Sequence, residues 1–171
     1  MFAVHDRVNY GAVGVCTITD IRKERMGGQW GEYYVLSPVF QNNAVIYVPM
    51  DNEKLTEKMR PVLSEEEIRR LITEMPSIPE EWIADEAERT ATFRSALRSG
   101  DRRQLVALIK SVYRRRNELT GAGRHLRASD ATLMKEAETL LYGEMALVLN
   151  IRPEEVLPML CAQLEETSED V

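Results

Sequence analysis

The hydrophobic period changes once along this chain, near residue 60, and no other sequence feature restricts the fold as strongly. Before the change, β-branched runs are short and broken by glycine: Val8-Asn9-Tyr10, then Val13-Gly14-Val15-Cys16-Thr17-Ile18, with Gly11 between them. A strand from Cys16 to Arg25 turns at Gly27-Gly28, a dipeptide that takes positive φ at little steric cost. Glu32-Tyr33-Tyr34-Val35-Leu36 returns, Gln41-Asn42-Asn43 makes a second turn, and Ala44 to Pro49 is the next strand. This spacing predicts a small, strongly bent sheet or partly open barrel. So small a core is marginal alone and gains from a neighbouring domain or partner.

From Ser64 onward the apolar period is helical. Ser64-Glu65-Glu66-Glu67 is a capping box, after which Ile68, Leu71, Ile72 and Met75 share one face and Pro76 and Pro79 end that helix and start the next. A second helix is expected from about Glu80 to Arg98, stopping at Ser99-Gly100. Asp101 caps a third, with Leu105, Leu108, Ile109, Val112 and Tyr113 at helical spacing until Gly121 and Gly123. A fourth runs roughly from Ser129 to Leu149. Pro153 opens a fifth that ends in an acidic tail, Glu165 to Asp170, expected to fray. The fold class is therefore α+β, a small β-rich domain over residues 1–60 followed by a compact all-α domain of about five helices over 61–171.

The same pass excludes several classes of function. No run of roughly 18 apolar residues is present to cross a membrane. Met1 to Arg7 contains an acid and no long apolar stretch, so it does not read as a secretory signal. Cys16 and Cys161 lie near opposite ends without CxxC spacing, which reads as two buried, reduced thiols in a cytoplasmic protein. His5 and His125 fall in no metal-ligand spacing, and no nucleophile elbow, P-loop or dinucleotide fingerprint occurs. The expectation is a protein that is not an enzyme and needs no metal or cofactor.

Charge supplies the positive evidence. Between Arg89 and Arg127 the chain places eleven Lys or Arg against two acids, Asp101 and Glu118, although its net charge is −6. The stretch before it, Asp51 to Glu88, holds twelve acids and five bases. An ordinary solvated helix mixes signs to gain i,i+4 pairs, and this block forgoes them. Such segregation suits a face turned to a polyanion, and the arginine-rich composition suits phosphate. No recognition helix is visible, so contact is expected with the backbone or groove shape. The candidate residues are Arg89, Arg94, Arg102, Arg103, Lys110, Arg114 and Arg115, with Arg98, Arg116, Arg124 and Arg127 in the same block. Trp82 is either a core residue where helices join or an exposed wedge against unstacked bases. Trp30, beside the glycine turn, packs over its hairpin or touches a partner.

Three segments carry a resemblance: Phe2 to Val15, Glu32-Tyr33-Tyr34-Val35-Leu36, and Ile46-Tyr47-Val48-Pro49. Together with Ser99-Gly100-Asp101, Val112-Tyr113-Arg114-Arg115 and the segment Glu136 to Ala146, they resemble the CarD family of bacterial transcription regulators. The resemblance implies a Tudor/SH3-like N-terminal barrel that binds the β subunit of RNA polymerase and is shared with the transcription-repair coupling factor. It also implies a helical domain that contacts promoter DNA, largely without sequence preference, at the upstream edge of the bubble and stabilises the open complex with a tryptophan wedge. Polymerase contacts would fall on Arg22, Glu24, Arg25 and Met26 and on Ile46 and Tyr47. No membrane partner is expected, and the sequence leaves the oligomeric state open between a monomer and a weak dimer.

This chain departs from the family pattern at identifiable places. Gly-Asp reads His5-Asp6, Tyr-Pro reads Tyr10-Gly11, and a basic residue before the Val-Pro pair reads Tyr47. The family's tryptophan position falls on Glu86, about one helical turn after Trp82. The alternative reading is a polymerase-binding paralogue whose helical domain binds another protein, or binds DNA non-specifically without a wedge.

Overall fold

The computed structural model describes residues 1–169. They divide into two compact units, Met1–Val62 and a second that begins at Leu63. The fold class is α+β.

In the first unit five strands make one antiparallel sheet: β1 (Arg7–Tyr10), β2 (Gly14–Met26), β3 (Gln29–Pro38), β4 (Ile46–Pro49) and β5 (Met59–Pro61), in the order β4-β3-β2-β1-β5. Gly27 and Gly28 hold φ of 59° and 84°, the two positive values that a two-residue hairpin turn requires to keep Met26 opposite Gln29. A register irregularity between Ile18 and Asp20 re-phases β2 at Thr19, so the strand changes which parity faces inward. Val8, Cys16, Ile18, Tyr34, Leu36, Val48 and Met59 form the core.

The short helix α1 (Glu53–Thr56) and strand β5 were not anticipated from sequence. Asn52 caps α1 by accepting from the Leu55 N–H at 3.2 Å, and β5 then pairs along β1. His5, standing where the resembled family carries glycine, holds φ of 76°. Its N–H donates to the Ile18 carbonyl at 2.7 Å, so the left-handed residue is what lets the N-terminal segment reach β2.

The second unit contains α2 (Glu65–Glu74), α3 (Glu86–Ser99), α4 (Arg102–Gly121), α5 (Ala128–Leu149) and α6 (Pro153–Glu169). Both arms of the Ser64–Glu67 capping box are made: Ser64 N–H to Glu67 Oε2 at 2.7 Å and Glu67 N–H to Ser64 Oγ at 3.1 Å. The helix expected from Glu80 begins only at Glu86. Asp85 is its cap, accepting from the Glu88 N–H at 2.8 Å, and residues 79–85 form an irregular connection. The acidic tail continues α6 as far as Glu169, and Asp170 lies outside the described residues. Ile68, Phe93, Leu105, Val112, Leu141, Met145 and Val156 lie in one apolar core. Cys16 is buried as expected, but Cys161 is exposed on α6.

Candidate functional site

Each unit carries a candidate interface. On the sheet, side chains alternate between faces, and residues opposite each other in register share one. Ile18, Leu36 and Ile46 form one such row and Ile21, Tyr34 and Val48 another, both directed to the core. Asp20, Val35 and Tyr47, then Arg22, Tyr33 and Pro49, form the rows of the opposite face. The six expected polymerase residues therefore divide. Arg22, Glu24, Met26 and Tyr47 share the outer face, whereas Arg25 and Ile46 have the other parity. Ile46 is half-buried and packs against the core because it sits in the Leu36 row. Arg25 extends past the core opposite Trp30, which is 72% exposed.

Arg22 anchors the outer face. Its Nη2 donates to the Tyr47 hydroxyl at 2.8 Å, its guanidinium lies 5.6 Å from the Tyr47 ring centre, and its Nε meets Glu24 at 3.1 Å. Tyr33 packs edge-on to Tyr47, with ring centres 6.4 Å apart. Tyr33 was not singled out from sequence. In Glu-Tyr-Tyr-Val-Leu the two tyrosines must face opposite ways, so the alternation already marked Tyr33 as the outward one once Tyr34 was assigned to the core.

β2 also has an open edge. β1 covers it from Gly14 to Thr17, and the His5–Asp6 segment bonds Ile18. From Asp20 to Met26 the strand pairs with β3 alone among the described residues. A second strand could add there through main-chain hydrogen bonds.

In the helical unit the basic block is largely paired, contrary to the expectation that it forgoes ion pairs. Most of its acids come from distant sequence, while Glu118 inside the block pairs with Arg114 and Arg115 at i,i+4 and i,i+3. Arg89 is buried: its Nε and Nη2 each donate to Asp130 at 3.0 Å, and its Nη1 donates to the Ile83 carbonyl at 2.9 Å. It is a structural residue and cannot meet a polyanion. Arg102 is likewise withdrawn, its Nε and Nη2 donating to buried Glu144 at 2.9 and 2.6 Å, and its charge is favoured by that carboxylate. Glu144 also accepts from the Leu63 N–H at 2.9 Å. Lys110 donates to the Met75 and Ile78 carbonyls at 2.9 and 2.6 Å, satisfying the turn that ends α2. These three leave the expected contact set because burial or backbone capping already uses their donors.

What remains is exposed apart from the half-buried Arg115. Arg94, Arg98, Arg116 and Arg124 have no carboxylate within ion-pair distance among the described residues, and Arg103, Arg114, Arg115 and Arg127 make surface pairs. Trp82 is half-buried and packs against the helical core. Arg89 lies 4.4 Å from its ring centre and Arg115 5.5 Å. It lines a cleft of about 240 Å³ with Arg115, Arg124, His125, Arg127 and Glu86. The cleft brings together the end of α4 and the following loop, so Arg124 and Arg127 join the candidate surface. Glu86 is paired with Arg127.

Among the described residues no cluster of three or more His, Cys, Asp or Glu could hold a metal, and no helix is long and apolar enough to cross a membrane. Residues 2–63 match the model of the CarD-like/TRCF RID domain. No curated protein matches the chain.

Proposed function

Because residues 2–63 match the model of the CarD-like/TRCF RID domain, a family of RNA polymerase-interacting domains without catalytic machinery, we propose that this chain regulates transcription by docking on the polymerase β subunit. Docking uses the open edge of β2 from Asp20 to Met26, with Arg22, Glu24, Met26, Tyr33 and Tyr47 setting specificity beside the main-chain pairing. The family match is the observation that carries this reading, and the edge of β2 left open among the described residues supports the choice of surface.

The helical unit then lays its surface arginines, Arg94, Arg103, Arg114, Arg124 and Arg127 with the half-buried Arg115, on promoter DNA near the upstream edge of the bubble. Phosphate contacts of this kind are sequence-independent, and tethering to polymerase makes them site-selective by raising the local concentration. Trp82 favours the version without a wedge, since its ring is held between two guanidinium groups and the core. Open complexes are therefore modulated by backbone contact.

The test is capture of polymerase by the full chain, followed by open-complex lifetime. Capture by the wild type, with loss on reversing charge at Arg22, supports the docking surface. Failure of the wild type to retain polymerase removes it.

A further inference from the structure

Acids at the end of α2, in the α2–α3 connection and at the start of α3 are folded onto the basic block. Glu74 pairs with Arg103 and Glu86 with Arg127, 29 and 41 residues away. Glu80 meets Lys110 at 3.2 Å and Arg114 at 3.6 Å. The opposite charge blocks seen in the sequence are thus partners in the fold. Glu80 also helps hold the α2–α3 connection to α4, because Lys110 is bonded to the carbonyls of that same connection. Glu74 and Glu86 have a simpler position. Each meets one surface arginine, and Arg103 and Arg127 are 56% and 65% exposed.

This changes what a phosphate gains by binding. DNA attracts cationic proteins chiefly because each neutralised phosphate releases a condensed counterion. An arginine that already holds a carboxylate must give it up first, and that carboxylate stays tethered beside the incoming phosphate. The pair itself is weak, since exposed ion pairs hold with no more than about a fivefold preference. It therefore sets a threshold that a phosphate at high local concentration can pass.

We propose that Glu74 and Glu86 are ligand-selecting residues of the helical unit. They occupy Arg103 and Arg127 in place of phosphate, so that free duplex DNA is a poor ligand and DNA presented at close range is accepted. This rests on the DNA reading given above. It assigns to the two carboxylates the role of keeping the arginine surface unoccupied away from polymerase, which suits a chain whose net charge is −6.

The experiment measures binding of the full chain to a fluorescent duplex across a salt series, with no polymerase present. The E74Q/E86Q variant is compared with wild type and with E65Q/E66Q, which removes the same charge from carboxylates that pair Arg69 and Arg70 on α2. The expected result is an affinity about tenfold higher for E74Q/E86Q and a log–log salt slope greater in magnitude by about two, with E65Q/E66Q near wild type. Equal affinities for all three proteins, or an equal gain in both variants, would overturn the proposal while leaving DNA binding intact. Absence of DNA binding by all three, even at low salt, would instead remove the DNA reading and this proposal with it.

Discussion

Arg89 and Asp130, 41 residues apart, form a two-pronged ion pair inside the helical unit, with both bonds at 3.0 Å and both side chains at most 4% exposed. Arg89 also binds the carbonyls of Ile83 and Ala84, so one guanidinium joins the connection before α3 to the first turn of α5. Breaking such a pair from one side leaves a buried charge without compensation. D130A should lower stability by about 3–5 kcal/mol. An R89M/D130L double variant should recover most of that loss, as replacing both charges with apolar groups often does. Urea denaturation of the three proteins checks both statements, and equal losses in single and double variants would contradict the uncompensated-charge account.

Trp82 lies at the edge of the core under two guanidinium groups. W82A should cost about 2–3 kcal/mol, less than the ~3–5 kcal/mol of a fully buried ring, because one part of the indole is already solvated. W82F should recover more than half. If the indole instead acts as a wedge, thermal melts of W82A will match wild type while open complexes decay faster.

On the sheet, R22E with Y47A should weaken polymerase capture at least about tenfold without moving the melting temperature appreciably. I46A should do the reverse, losing stability while a folded fraction still binds, because Ile46 packs inward against the core. Pull-down of polymerase beside circular-dichroism melts separates the two.

His5 carries a left-handed backbone at φ 76°. Glycine there removes the clash between Cβ and the carbonyl, partly offset by its greater freedom in the unfolded chain. H5G should stabilise the chain by about 0.5–1 kcal/mol, and H5V should destabilise it, since a β-branched residue fits that region worst. Denaturant midpoints of both variants give the sign.

The buried Cys16 thiol is pushed up from 9.0 to about 11 by loss of hydration. The folded state thus keeps a proton that the unfolded chain releases. Below about pH 9 both states are protonated and Cys16 contributes no pH dependence. Between pH 9 and 11 unfolding sheds a proton, so stability falls as pH rises, and C16A should flatten that part of the profile. At neutral pH a thiol reagent should label exposed Cys161 promptly and Cys16 only after unfolding.

The local features of this fold were legible in the sequence. Gly27-Gly28 could only turn, Ser64 and Glu67 could only cap, and Asp101 caps α4 through the Gln104 N–H at 3.0 Å. The start of α3 was misplaced because Pro79-Glu80-Glu81 imitates a helix entry, while the true cap, Asp85, lies six residues after the proline. The candidate surfaces were harder to read. Arg89, Arg102 and Lys110 look like their neighbours in a one-dimensional charge count. Their partners Asp130, Glu144 and the Met75–Ile78 carbonyls lie 32 to 42 residues away. Which arginines stay at the surface is decided by tertiary packing, and no local pattern encodes it.

The one-sided distal half of β2 has a further consequence. A bare strand edge invites a second copy of the same chain, which is how sheets grow into aggregates. Along this one the side chains run Arg22, Lys23, Glu24, Arg25, four consecutive ionic groups with little apolar surface to seal a self-association. The edge is thereby kept open yet guarded, available to a strand whose charges answer this order and unrewarding to its own duplicate.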